Sequence, residues 1–311
     1  MAVMSRPVFA APAWLPSLAF VLVWSTGFIV GKAIVPLADT SLFLLARFAV
    51  AGLMFVAWTL AAGAAWPPLR DAPRHLLAGA LMQGVYLCAG YGAVAQGLPP
   101  AIMALLGALQ PLLTALLAIP LLKELPSRRT WQGLALGALG VALVVAPAMQ
   151  AGVQPVSPWI VLLGVLAIVS ITMGTLLQKS AIATSDLRAS SAWQNLGAML
   201  VAGVMVAAML ATGGAGAPLH WEGGMLLWAA LAWAGLGLSG GGTWLLVGLV
   251  RRGQAANAAA LMFLAPPLAA AQAWLLFGQG LGAVQALGMA VAGAGVWLCQ
   301  SQGRQRHAEA R

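Results

Sequence analysis

Residues Gly97 to Leu143 read GLPPAIMALLGALQPLLTALLAIPLLKELPSRRTWQGLALGALGVAL. The chain repeats this pattern 155 positions later, at Arg252 to Leu298: RGQAANAAALMFLAPPLAAAQAWLLFGQGLGAVQALGMAVAGAGVWL. No gap is needed. Pro111 falls on Pro266, Leu113 on Leu268, Ala118 on Ala273, Gly133 on Gly288, Gly140 on Gly295 and Val141 on Val296. Alanine and leucine matches are cheap in so apolar a text, but a proline matched together with two downstream glycines is not. Glu124 falls on Gln279, which keeps the polar stop and loses its charge. The pattern is that of an internal duplication.

The rest of the chain is text of the same kind. Of its 311 residues 62% are hydrophobic and 7% charged, against roughly 25% charged in a soluble domain. Such a chain cannot cover itself with polar surface, so lipid is the expected solvent. The net charge of +9 does not indicate nucleic acid, because the basic residues stand as small groups between apolar runs. Cys88 and Cys299 both lie inside such runs and read as small core residues, with neither a disulfide nor a metal site implied. Arg6 is followed by broken apolar text, so the first span is expected to stay uncleaved.

A span takes about 20 apolar residues. Ten are expected, at about 14–35, 41–62, 75–96, 100–122, 129–148, 158–180, 188–210, 225–249, 255–277 and 282–300. The fold class is therefore all-α and integral to the membrane. Short segments rich in turn formers join the spans, among them PLADTS, WPPLRDAPR and KELPSRR. Arg70, Arg74, Lys123, Arg128, Arg129, Arg188, Arg251 and Arg252 fall in loops on one side, joined by Arg6, Lys179 and the tail arginines. Opposite loops hold only Asp39, His220 and Glu222. The positive-inside rule then puts both termini in the cytoplasm. Five spans per half is an odd number, so residues 1–150 and 151–311 form two five-helix repeats of opposite orientation. Two such halves can exchange one packing and give inward-open and outward-open states. A weaker match in the earlier spans sets Gly27 on Gly174, Lys32 on Lys179 and Arg47 on Gln194.

The order of these features resembles the ten-helix drug/metabolite transporter superfamily of the EamA type. The resemblance rests on VWSTGFIVGKA in span one, LLARFAVAGL in span two, the proline-centred span four ending in LLKEL, and its copy ALMFLAPPLAAAQAWLLFGQGL. In that copy Gln279 stands where an acidic residue is usual. The resemblance implies a helical basket in the bacterial inner membrane, a cavity lined mainly by spans 1, 3, 4, 6, 8 and 9, and export of small metabolites, often amino acids. Exchange of phosphorylated or nucleotide-linked metabolites, as in other branches, is the alternative within that superfamily. A membrane-embedded lipid-modifying enzyme is the alternative of another class.

Several residues can carry function. Pro111 frees the carbonyl of Gly107, and Pro266 with Pro267 frees those of Met262 and Phe263. Each is either a hinge against a wet cavity or a static kink. Lys32 and Arg47 are the cations farthest from the basic loops, and burying one costs at least about 2.5–3.5 kcal/mol on insertion scales. No acid lies inside a span. Arg47 therefore reads either as a site for an anionic solute or as a structural donor to helix-end carbonyls or Asp39, while Lys32 can snorkel. Gln83, Tyr86 and Gly90 share a helix face at i, i+3 and i+7, as a pocket wall or as helix–helix glue. Trp24, Gln110, Trp193, Gln194, Trp244 and Gln272 complete the candidate substrate-binding set, and the run Ser239-Gly240-Gly241-Gly242 allows either close packing or unwinding.

Enzyme chemistry finds no footing. His75, His220 and His307 are read as loop or tail residues without a ligand-spaced cluster, and there is no P-loop or intramembrane carboxylate pair. No catalytic residue, metal or cofactor is expected. The expected partners are a small-molecule substrate and the bilayer, with no nucleic acid, in a monomer or homodimer. Topology is directly testable. Cysteines introduced at Ser127 and Ala283 are expected to label from opposite faces of the membrane, and labelling from one face removes the inverted-repeat reading.

Overall fold

The computed structural model describes residues 15–98, 109–123, 125–150, 156–181, 185–211, 219–251 and 282–309, with pieces of 103–107 and 261–275. Among these residues the chain is helical. The helices are α1 (Leu15–Ile34), α2 (Thr40–Ala61), α3 (Leu69–Ala95), α4 (Gln110–Leu122), α5 (Arg128–Gln150), α6 (Pro158–Ala181) and α7 (Leu187–Ala211). α8 is built from Met225–Ala232, Trp233–Gly242 and Thr243–Arg251, and α9 is Ala283–Glu309. Five described helices are long and apolar enough to cross a membrane: α2, α3, α7, Pro158–Gln178 of α6 and Met225–Leu246 of α8. Leu15–Gly31, Gln110–Leu121 and Ala283–Cys299 are shorter apolar helices. The expected ninth span, 255–277, lies largely outside the described residues.

Two helices change pitch midway. Ala80–Val85 of α3 and Trp233–Gly242 of α8 are π-helical, a geometry that is rare and recurs at functional sites. The wider pitch loosens the backbone ladder, and neighbours take up what it frees. Ser170 Oγ on α6 donates to the Leu81 carbonyl at 2.9 Å.

Glycine sets how closely the helices approach. A Cβ on Gly133 would lie 2.7 Å from the Gly295 carbonyl oxygen, one on Gly288 2.7 Å from the Gly140 carbonyl oxygen, and one on Gly140 would collide with the Ala292 nitrogen. α5 and α9 thus cross backbone to backbone and antiparallel. The contacts are reciprocal under the 155-residue shift, which turns the pair Gly133–Gly295 into Gly288–Gly140. A second reciprocity involves the π segments. Gly235, in that of α8, packs on Val50 of α2, while Gly84, in that of α3, packs on Val201 of α7. α2 therefore lies against α8, and α7 against α3.

Three sequence expectations need correction. Span four is not a continuous helix kinked at Pro111. The helix starts at Gln110 with Pro111 in its first turn, after an i→i−3 turn in which Leu109 N donates to the Leu106 carbonyl at 3.0 Å. In a first turn the missing N–H has no partner to lose, which is why proline is favoured there. The proline inside α4 is Pro120, and Lys123 ends the helix in the left-handed region at φ 56°. His75 is not a loop residue; it sits in α3 and is buried. Gly90 does not share the cavity wall described below with Gln83 and Tyr86; a Cβ there would meet Met103 and Ala167 instead.

On the side with few charges, the α1–α2 and α7–α8 loops are clasped together. Ala38 and Trp221 form an antiparallel bridge, Asp39 N donates to the His220 carbonyl and Glu222 N to the Leu37 carbonyl, each at 2.9 Å. The Asp39 carboxylate accepts the His220 N–H at 2.7 Å.

The glycine crossing makes a stability prediction. Gly140→Ala forces α5 and α9 apart and is expected to cost about 1–3 kcal/mol, as overpacking does. Gly293→Ala, on α9 but with nothing within 4 Å of the added carbon, is the control. Thermal unfolding in detergent should fall clearly for the first and stay at wild type for the second.

Candidate functional site

Burying a guanidinium in lipid is unfavourable unless its donors are met, so the surroundings of Arg47 are the natural place to look. Arg47 is 7% exposed. Its Nε donates to Ser239 Oγ at 2.8 Å, across from α2 to the π segment of α8. No carboxylate pairs with it among the described residues, whose ion pairs all involve other groups. The Tyr91 hydroxyl interacts with the same guanidinium while donating to the Gly27 carbonyl of α1 at 3.2 Å. Neutral dipoles therefore hold the charge in place without neutralising it. Besides Nε, the guanidinium has N–H donors on its two terminal nitrogens.

Arg47 borders a cavity of about 80 Å³. α1 contributes Trp24 and Gly27, α2 Arg47, α3 Met82, Gln83, Tyr86, Leu87 and Tyr91, and α8 Leu238, Ser239 and Thr243. Gln83 lies within the π segment of α3 and Ser239 within that of α8. Both irregular stretches thus open onto one space, walled by rings and aliphatic carbons and furnished with an amide, hydroxyls and one cation. Such a mixture suits a small amphipathic solute bearing an acceptor group.

Of the residues singled out from sequence, Trp24, Arg47, Gln83 and Tyr86 come together here. The others go elsewhere. Gln194 donates to the Gln178 Oε1 of α6 at 2.6 Å, buried between helices. Trp193 keeps its indole N–H buried without a hydrogen-bond partner. The Trp244 ring lies 6.4 Å from that of Trp58, over which the Arg188 guanidinium sits at 5.9 Å. Gln272 donates to Ser25 Oγ of α1 at 2.9 Å, one residue along from Trp24. Gln110 is buried at the start of α4, and Pro267 is buried in the second proline region. The Lys32 side chain and Pro266 lie outside the described residues. The lining by α1, α3 and α8 agrees with the expected set of spans; α2 was not in that set, and α4 and α6 contribute nothing among the described residues.

Tyr91 and Thr243 were not legible as site residues. Tyr91 had one available signal, because the chain has only two tyrosines and both line the cavity. Its separation of five from Tyr86 puts the two on different faces of a regular helix, which hid the pairing.

Known proteins bear on fold and family in different degree. A solved structure described only as "Crystal structure of protein" matches with a TM-score of 0.76 over 94% of this chain and 97% of its own, at 20% identity; at that identity the likeness is one of fold alone. No curated protein matches the sequence. Residues 13–146, which hold α1 to α4, most of α5 and the Arg47 side of the cavity, match the EamA-like transporter family, in keeping with the drug/metabolite transporter superfamily.

Proposed function

We propose that this chain is a secondary transporter of the inner membrane that exports small carboxylate-bearing metabolites, amino acids or their derivatives, by alternating access. The observation that carries the reading is the unneutralised Arg47 facing a cavity between the π segments of α3 and α8. A solute carboxylate would supply the missing negative charge, accept two parallel hydrogen bonds from the guanidinium and recover part of its burial cost. Trp24, Tyr86, Tyr91 and Gln83 would grip the remainder of the solute.

Alternating access needs two states of similar energy. In this reading residues 1–150 and 151–311 are inverted repeats with both termini cytoplasmic, and the reciprocal glycine contacts of α5 with α9 support it, since a two-fold in the membrane plane exchanges them. The turns before Pro111 and before Pro266–Pro267 (Met262–Leu264 is a 3₁₀ turn) are the proposed hinges. A space of about 80 Å³ is small beside the roughly 300–1,000 Å³ of solute pockets, and a constricted member of the transport cycle accounts for that.

Arg47→Lys keeps the charge and removes the fork. In liposomes it is expected to weaken uptake of a carboxylate-bearing amino acid about ten- to a hundredfold in apparent affinity, the worth of a charge-assisted hydrogen bond. The corresponding amide should be carried poorly by wild type and variant alike. A monodisperse variant with unaltered affinity for acid and amide would make Arg47 scaffold.

A further inference from the structure

A second concave feature lies on the outer surface between α3 and α7. It is a groove of about 540 Å³ whose wall is almost wholly apolar. Pro73, Leu77 and Ala80 form one bank and Leu200, Val204 and Met205 the other. The crossing of the two helices explains its depth. Gly197 sits against the Leu76 backbone and Gly79 against that of Gln194, so the helices touch without side chains between them and then diverge, leaving a trough along the contact. Leu77, Leu200, Val204 and Met205 are exposed at 52%, 56%, 68% and 41%. In a membrane these carbons face acyl chains.

One end of the trough is not apolar. Pro73 stands between Asp71 and Arg74, and Arg70 and Arg74 share the Asp71 carboxylate at 3.9 and 3.6 Å. Their side chains are 84% and 63% exposed. Two guanidinium groups on one carboxylate leave a net positive charge and most of their N–H donors unspent. From that end α3 enters the apolar layer, and about 10 Å of helix separates Pro73 from Ala80 at 1.5 Å per residue. A cationic head position above an apolar trough is the form of a phospholipid.

We propose that the α3–α7 groove binds one anionic phospholipid, with an acyl chain along the trough and its phosphate against Arg70 and Arg74. The charge is what selects the lipid, because the trough alone accepts any acyl chain, whereas each arginine near an anionic headgroup favours it about fivefold. The site is separate from the Arg47 cavity and does not depend on what the protein transports.

The test uses the full chain, purified in detergent and offered phosphatidylglycerol or phosphatidylcholine, with retained lipid counted by native mass spectrometry. Wild type should retain one phosphatidylglycerol in preference to phosphatidylcholine and unfold at a higher temperature with it. Arg70→Gln combined with Arg74→Gln should abolish that preference while retaining a lipid. Val204→Trp, or Leu77→Trp should that variant fail to fold, should fill the trough and lose both lipids; these exposed positions leave the core untouched. Equal retention of the two lipids by wild type, or variants that keep its preference, would overturn the proposal. So would a dimeric mass that Val204→Trp converts to a monomer, which would give the groove to a second copy.

Discussion

The hydrogen bond from Arg47 to Ser239 links α2 to α8 at a place where, among the described residues, a full charge sits buried among apolar helices. A guanidinium there is tolerated only if the surrounding backbone and side chains are held to meet it. That requirement explains much around it. Ser239 reaches Arg47 from the π segment of α8. Close approach of α2 and α8 in turn needs Gly235 opposite Val50 and Gly240 opposite Met54. Tyr91, anchored on the Gly27 carbonyl, ties α1 into the same arrangement. Nothing in this set neutralises the charge, which is the feature on which the proposed solute site rests.

The remaining helices give that site a frame able to change shape. The glycine crossing of α5 and α9 is dry and backbone-close, whereas the contacts around the cavity run through π turns, single hydroxyls and large flexible rings. The clasp of Ala38 with Trp221 closes the sparsely charged side with two backbone bonds. In the proposed transport cycle the close seam of α5 and α9 would move as a unit beside the cavity.

Much of this was legible in the sequence, and what was not has physical causes. The apolar runs, the basic loops and the shift that pairs Pro111 with Pro266 point to a helical membrane protein, and the repeated Gly133, Gly140, Gly288 and Gly295 point to a duplication, whereas the seam they form shows only in the fold. Arg47 stood out because charge in lipid is costly and hence informative. Tyr91 was passed over because five residues separate it from Tyr86, which puts the two on different faces of a regular helix. Pro111 was read as standing in mid-helix, as a hinge or a kink, since sequence shows where a proline stands but not where its helix begins. Gln194 looked like a ligand-binding group until Gln178 was seen beside it; pairing across helices is invisible in a linear text.

Accessibility of the cavity from the two faces of the membrane tests the account most directly. Thr243 lines the cavity, and Thr243→Cys, with Cys88 and Cys299 replaced by serine, places a thiol there. A membrane-impermeant thiol reagent applied to oriented vesicles should modify it from either side. Locking the clasp with Ala38→Cys and Trp221→Cys, a bridged pair at a spacing that suits a disulfide, should abolish modification from that side alone. Modification from one face only in the unlocked protein, or from both faces with the clasp oxidised, would contradict alternating access at this site.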